Sequence, residues 1–198
     1  ELALIYNREG RLEEAIALLL EASTFAQTVE EKIDIEEELI IIDISRGRYT
    51  EAFERSQHAL QVHSDLSNSV TMTAVLNNLG IIHFYQNKYD DAAACFQRSI
   101  TILQREQQKS KLIAPYLNLG NVCSAQEQFS DAAQHWQRAL FLSQEVGNLQ
   151  QEARAYNNIG IASYNQGKYE DASRYYEKAY EIFSRLGTLP GMALCLTN

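Results

Sequence analysis

The polar side chains best suited to bind a ligand are asparagines that recur every forty residues. They are Asn78, Asn118, Asn158 and Asn198, with Asn77, Asn121 and Asn157 beside them. They lie in segments with helical apolar spacing, where asparagine costs about 0.5 kcal/mol relative to alanine. Each amide can donate to and accept from the backbone of a bound peptide, or it can bond to a neighbouring helix of the same chain. The sequence leaves both roles open.

The residue types that perform catalysis form no recognisable pattern. The four histidines make no HExxH motif, and neither GxxxxGK[ST] nor GxGxxG occurs. Cys95, Cys123 and Cys195 lack CxxC spacing and lie in apolar helical segments, which is typical of buried thiols in a reducing compartment such as the cytoplasm. We therefore expect no enzyme activity, no cofactor and no metal site.

The asparagines belong to a longer pattern that occurs three times. Each copy has a glycine, an aromatic residue nine positions later and an alanine three positions further on. The three copies are Gly80, Tyr89 and Ala92; Gly120, Phe129 and Ala132; and Gly160, Tyr169 and Ala172. A fixed period of this length is typical of stacked structural repeats. Apolar residues recur at helical spacing throughout, so the pattern predicts an all-α chain.

Each repeat is predicted to be a hairpin of a first helix (helix A), which carries the glycine, and a second helix (helix B). In helix B the alanine is followed by a large aromatic residue and then by another small residue. The large residues are Phe96, Trp136 and Tyr176. Glycine inside a helix costs about 1 kcal/mol relative to alanine, so its recurrence indicates a contact with no room for a methyl group.

The turn between the two helices is predicted from residues that tolerate a left-handed backbone. Gly10, Gly47, Asn87 and Gly167 occupy equivalent turn positions. Glu127 stands at this position in another repeat. We expect that turn either to be tighter, with a right-handed backbone, or to be strained.

These offsets of glycine, aromatic residue and alanine resemble the tetratricopeptide repeat. The forty-residue period resembles the long-helix subclass found in kinesin light chains, in the Pins/LGN polarity adaptors and in bacterial signalling proteins. The resemblance implies a right-handed superhelix of antiparallel helical hairpins. It also implies a concave groove, lined by the A helices, that binds a peptide or helix.

The resemblance extends over one array, residues 1–198. We expect a partial repeat over 1–26, in which Leu2 to Glu9 end a helix A, followed by repeats over 29–63, 69–106, 109–146 and 149–186 and the start of another over 189–198. The second repeat departs from the pattern, with Ile40 in place of the glycine and Ser56 at the large position. Because the chain begins at Glu1 and ends within a motif, we expect it to be a fragment of a longer protein.

The groove is predicted to be lined by one face of the A helices, here called the A-helix face. Its residues are Asn77, Asn78, Ile81, Phe84, Tyr85, Asn118, Asn121, Arg154, Asn157, Asn158, Ile161 and Tyr164. The apolar and aromatic members would anchor a ligand beside the amides, or they would pack between helices. Asp34, Glu37 and Glu38 would attract basic residues of a ligand, or they form a solvated face.

Charge and hydropathy narrow the choice of partner. A net charge of −9 and a pI near 5.0 argue against nucleic acid and anionic membranes, and the apolar runs fall short of the roughly 20 residues that span a bilayer. We expect a cytoplasmic scaffold that binds a protein or peptide ligand. One alternative is a ligand-sensing array that regulates an attached signalling or transcription domain. The other is a self-association module that uses open repeat edges at Leu2 and Asn198.

Overall fold

The structure is a computed structural model that describes residue 6 and residues 10–62 and 69–198, and over these residues it is all-α. The predicted fold class is therefore confirmed, whereas the helix expected over Leu2 to Glu9 lies, apart from Tyr6, outside the described residues. The ten described helices are α1 (Leu12–Phe25), α2 (Val29–Ser45), α3 (Tyr49–Val62), α4 (Thr73–Tyr85), α5 (Tyr89–Arg105), α6 (Ile113–Ala125), α7 (Phe129–Val146), α8 (Leu149–Asn165), α9 (Tyr169–Arg185) and α10 (Leu189–Thr197).

The chain divides into two compact units, and the boundary between them falls within α5. Unit 1 is Glu1–Ile102 and unit 2 is Leu103–Asn198. In unit 1, α1 packs on α2, α2 on α3 and α3 on α4, and α2 also contacts α4. In unit 2, each helix from α6 to α10 packs on the next, and α6 also contacts α8. Consecutive A helices, α2 and α4 or α6 and α8, are therefore neighbours within their unit.

The start of α2 is set by a capping box. The Thr28 hydroxyl accepts from the Glu31 backbone N–H at 3.1 Å, and the Glu31 carboxylate accepts from the Thr28 N–H at 3.1 Å. These bonds satisfy backbone donors that have no partner inside the helix. The helix consequently begins at Val29.

The recurring glycines lie directly against the large aromatic residues of helix B. A Cβ atom at Gly80 would be 2.6 Å from Phe96 Cε1, and one at Gly160 would be 2.5 Å from Tyr176 Cε1. Gly120 faces Trp136 in the same way. The aromatic ring thus takes the space that a methyl group would fill, as the repeated glycine predicts.

The second repeat reverses this arrangement of sizes. Ile40 and Ser56 stand where the other repeats have glycine and an aromatic residue, and both are fully buried. The Ser56 hydroxyl donates to the Ala52 carbonyl at 2.7 Å, so its polar group is satisfied. A large residue on helix A and a small one on helix B fill the same kind of contact.

The turns share one backbone geometry even where glycine is absent. Gly47, Asn87, Glu127 and Gly167 have φ of 70°, 59°, 60° and 75°. In each turn the next residue's N–H reaches back to a carbonyl five positions earlier, as from Gln128 to Cys123 at 2.8 Å. The right-handed alternative for Glu127 is therefore wrong, because this hydrogen bond requires the left-handed conformation.

Candidate functional site

Asparagine amides link consecutive A helices of unit 2. Asn158 Nδ2 donates to Asn121 Oδ1 at 3.3 Å, which joins α8 to α6. Asn198 Nδ2 donates to Asn157 Oδ1 at 3.1 Å, which joins the residue that follows α10 to α8. These four side chains therefore have a packing role inside the repeat stack.

Some of these asparagine side chains keep hydrogen-bonding capacity beyond their packing role. Asn157 is only 1% exposed and is therefore enclosed by protein. Asn118, Asn121 and Asn158 are half-buried. A side-chain amide has two donor hydrogens and two acceptor lone pairs, so the single bond between Asn158 and Asn121 leaves capacity on both groups.

The remaining predicted residues of unit 2 differ in their exposure and contacts. Ile161 is half-buried, whereas Arg154 and Tyr164 are exposed, Tyr164 to 53%. Arg154 donates to Gln151 Oε1 at 3.4 Å. The Tyr164 ring meets the Tyr169 ring edge to face, with centroids 5.4 Å apart.

Tyr164 also borders a cleft of about 510 Å³ in unit 2. The lining side chains come from the end of α8, from α9 and from α10, and they include Tyr169, Tyr176, Tyr180 and Leu196. Asn198 lines it as well. Aromatic rings with polar tips beside an amide form a surface that suits protein contacts.

In unit 1, the predicted face combines amides with a cluster of aromatic rings. Asn78 is 6% exposed, and its Nδ2 is buried without a hydrogen-bond partner among the described residues. Asn77, Ile81 and Phe84 are half-buried. Tyr85 is 55% exposed.

The aromatic cluster is held by rings from two B helices. The Tyr85 ring stacks on Tyr49 of α3 with centroids 5.1 Å apart. The Phe84 ring lies 5.9 Å from Tyr85 and 5.7 Å from Tyr89 of α5. The A-helix prediction did not include Tyr49, Tyr89 or Tyr169. Their common signal was the aromatic residue that opens helix B, which packs on the end of helix A.

The carboxylates of α2 separate into two groups by their partners. Asp43, which is 6% exposed, accepts from Arg55 Nε at 3.3 Å, and Arg55 Nη1 donates to Glu36 at 3.2 Å. Asp34 lies on another face of α2 and is exposed, whereas Glu37 and Glu38 on that face are half-buried. The Arg55 guanidinium thus neutralises the buried Asp43 carboxylate and also binds Glu36.

Burial shifts the pKa values of several cysteines and histidines. Burial raises the pKa of the Cys95 thiol to about 11, and it also raises the pKa of Cys123 and Cys195. Burial lowers the pKa of His83 and His135. The described part of the chain holds no cluster of three or more His, Cys, Asp or Glu residues that could bind a metal ion.

The chain belongs to the tetratricopeptide repeat family, whose sequence pattern matches residues 31–105 and 111–185. This class of helical repeat forms extended surfaces that serve as scaffolds for protein–protein interactions. A comparison with curated protein sequences gave no match. Among the described helices, none combines the length and apolar character needed to cross a membrane.

Several solved structures share this fold. Aspartyl phosphate phosphatase F from Bacillus subtilis is 18% identical, with a TM-score of 0.83 over 98% of this chain and 51% of its own. A signal transduction ATPase from Pyrococcus horikoshii with a tetratricopeptide repeat sensor is 19% identical, with a TM-score of 0.83 over 98% of this chain and 30% of its own. Putative kinesin light chain repeats from Podosopora anserina are 15% identical, with a TM-score of 0.71 over 94% of this chain and 93% of theirs. At these identities the likeness shows the fold alone.

Proposed function

We propose that the chain is a protein-interaction module that binds a peptide segment or helix of a partner protein on its A-helix face. The observation that carries the proposal lies in unit 2. There the half-buried amides of Asn121 and Asn158 keep hydrogen-bonding capacity beyond their mutual bond, and the predicted face also includes the exposed ring of Tyr164. Amides can hold a peptide backbone independently of its sequence, and aromatic anchors supply much of the affinity at protein interfaces.

Charge and cysteine chemistry support the rest of the proposal. The net charge of −9 favours a protein partner over nucleic acid or an anionic membrane. The three cysteines are free, which favours a reducing compartment, the cytoplasm. The proposal assigns no reaction to the chain itself.

The test uses a peptide selected from a displayed random library on the wild-type chain. Tyr164→Ala should weaken its binding by about tenfold or more, because an exposed anchor is lost with little effect on the fold. Asn118→Ala together with Asn158→Ala should also weaken binding while the chain still folds. The control is Gln137→Ala, at an exposed position of α7. The measurements are Kd by calorimetry and Tm by circular dichroism.

The amide variants distinguish binding from packing. A large fall in Tm with unchanged Kd would assign Asn118 and Asn158 to packing alone. Unchanged Kd in Tyr164→Ala as well would contradict the proposed face. Failure to select any peptide that binds the wild-type chain would contradict the proposal as a whole.

A regulatory role is a second candidate. It is favoured by the Pyrococcus horikoshii ATPase, in which a tetratricopeptide repeat serves as a sensor and of which this chain spans 30%. In that role, ligand binding on the A-helix face would change the activity of an attached domain. The test compares the activity of the longer protein with and without the selected peptide. An unchanged activity would contradict regulation.

Self-association is a third candidate, supported by exposed leucines on α10. Leu189 and Leu196 are 72% and 76% exposed, and such residues commonly mark interaction surfaces when they cluster. Light scattering over a range of concentrations tests it, and a strictly monomeric result would contradict it. The predicted edge at Leu2 lies outside the described residues.

A further inference from the structure

The net charge of the chain is confined to one of its two units. Residues 1–102 contain 8 Lys and Arg against 17 Asp and Glu, a net charge of −9, whereas residues 103–198 contain 9 of each, a net charge of zero. A surface of unit 1 would therefore attract cations far more strongly than one of unit 2.

Much of this negative charge lies on one face of α2. Glu30, Asp34, Glu37 and Glu38 follow the spacing of a single helix face, here called the acidic face. Like charges four residues apart destabilise a helix by about 0.2–0.5 kcal/mol per pair, and Glu30 with Asp34 and Asp34 with Glu38 are such pairs. These pairs concentrate negative charge along one side of α2.

The nearby arginines are engaged with other carboxylates. Arg46 pairs with Glu13. Arg55 bonds to Asp43 and Glu36, at 3.3 Å and 3.2 Å. These ion pairs do not involve Glu30 or Asp34, both of which are exposed.

A buried amide gives a second, independent indication of a ligand. Asn78 of α4 occupies the position of Asn158, whose amide donates to Asn121 on the preceding A helix. The residue of α2 equivalent to Asn121 is Ile41, which has no side-chain acceptor. Asn78 Nδ2, on the A helix that packs against α2, is buried without a hydrogen-bond partner among the described residues. A backbone carbonyl of a ligand bound between α2 and α4 would supply the missing acceptor.

Apolar groups complete this part of the surface. Ile41 and Ile81 are half-buried, and the exposed Tyr85 ring stacks on Tyr49. Such groups suit the aliphatic stems of lysine and arginine, and an aromatic face also attracts their charged ends.

We propose that the α2–α4 face of unit 1 binds a basic segment of a partner protein, with arginine or lysine side chains on the acidic face and a backbone carbonyl on Asn78. This inference rests on the proposed function, since it names the chemistry of the partner. The apolar residues beside the acidic face favour a segment in which leucine or another apolar residue accompanies the basic ones.

The test uses a fluorescent peptide of four arginines and two leucines, with a matched peptide in which glutamates replace the arginines. The whole chain should bind the arginine peptide at least about tenfold more tightly, with an affinity that falls as salt rises. Glu30→Gln combined with Asp34→Asn should weaken binding about tenfold. The control is Glu51→Gln combined with Glu54→Gln, exposed carboxylates of α3 whose replacement changes the net charge equally. The control should change binding less than twofold.

Asn78→Leu gives a readout that distinguishes binding from packing. It removes an unpartnered buried donor, so Tm should rise or stay unchanged while the arginine peptide binds several-fold more weakly. Unchanged affinity would contradict the role of Asn78. Equal losses in the acidic-face variant and its α3 control would reduce the effect to net charge and overturn the proposed site.

The test of the basic-segment inference can fail or succeed independently of the test of the proposed function. If the library-selected peptide is neutral and depends on Tyr164, and the arginine peptide does not bind, the proposed function holds and the basic-segment inference is wrong. If the arginine peptide binds and responds only to the unit 1 variants, and Tyr164→Ala leaves the Kd of the library-selected peptide unchanged, the inference holds and the role of Tyr164 is wrong.

Discussion

At the scale of single residues, a few residues other than glycine adopt a backbone conformation that glycine favours. Glu127 and Gln107 have φ of 60° and 53°, in the left-handed region. A residue with a Cβ atom pays roughly 1–2 kcal/mol for this conformation. The turn position of Glu127 is glycine in three other repeats, at Gly10, Gly47 and Gly167. The turn geometry is therefore imposed by the helices that it joins, and the residue adapts to it.

Replacing Glu127 by glycine should stabilise the chain. The left-handed backbone is nearly free of strain for glycine, and the gain exceeds the added flexibility of the unfolded chain, so we expect about 0.5–1 kcal/mol. Urea denaturation measures the change. Gln166→Gly is the control, because Gln166 has φ of −88° and glycine there should be neutral or destabilising. A loss of stability in Glu127→Gly would show that the Glu127 side chain makes a stabilising contact that outweighs the strain.

At the scale of elements, the contact between helix A and helix B is filled jointly by one side chain from each helix. Three repeats place a glycine on helix A against a large aromatic residue on helix B. The second repeat has Ile40 and Ser56 at those positions, both buried. Buried contacts require a constant filled volume, and the division of that volume between the helices is free to change.

Gly80→Ile and Phe96→Ser should each destabilise the chain, but together they should partly compensate. The first overpacks the contact by about 1–3 kcal/mol or more, and the second leaves a cavity at a cost of about 3–5 kcal/mol. The double variant reproduces the pair at Ile40 and Ser56, so we expect a favourable coupling energy of at least about 1 kcal/mol. Urea denaturation of all four chains measures it.

The matched control for this cycle uses the glycine of another repeat. Gly160→Ile combined with Phe96→Ser pairs residues from different contacts, because Gly160 faces Tyr176. Their energies should add within about 0.5 kcal/mol. Additivity in the Gly80 and Phe96 pair as well would show that the two positions do not share one volume.

At the scale of the whole molecule, each unit contains a partly buried histidine whose protonation opposes folding. Burial lowers the pKa of His83 in unit 1 and of His135 in unit 2 below 6.5, although Asp91 and Asp131 oppose the shift. A depressed native pKa means that the unfolded chain takes up the proton first. Their contribution to stability is therefore present above pH 6.5 and is lost as the pH falls from 6.5 through the native pKa.

Tm should accordingly decrease as the pH is lowered from 7 to 5, and His83→Gln combined with His135→Gln should reduce this decrease. Glu13, Glu14 and Glu31 have pKa values below 4.5 because of hydrogen bonds to Arg46, to Arg11 and to the backbone at Thr28. Their contribution is lost only at still lower pH. Thermal unfolding at each pH measures both windows, with the exposed His58→Gln as control. An equal decrease in the double variant would assign the effect to other groups.

The sequence by itself determined the repeat, the all-α class and a close contact at each repeated glycine. These follow from a forty-residue period and from side-chain sizes, which are local and additive properties. The pattern also placed the asparagines on one helix face, from Asn78 to Asn158, but periodicity could not say what each amide meets.

Only the tertiary structure decided those partners, because a hydrogen bond depends on which side chain the neighbouring helix places within about 3 Å. Asn121 gives Asn158 an acceptor, whereas Ile41 stands at the equivalent position for Asn78. The same reason explains Glu127: its type favoured a right-handed or strained turn, and the hydrogen bond from Gln128 to the end of α6 selected the strained one.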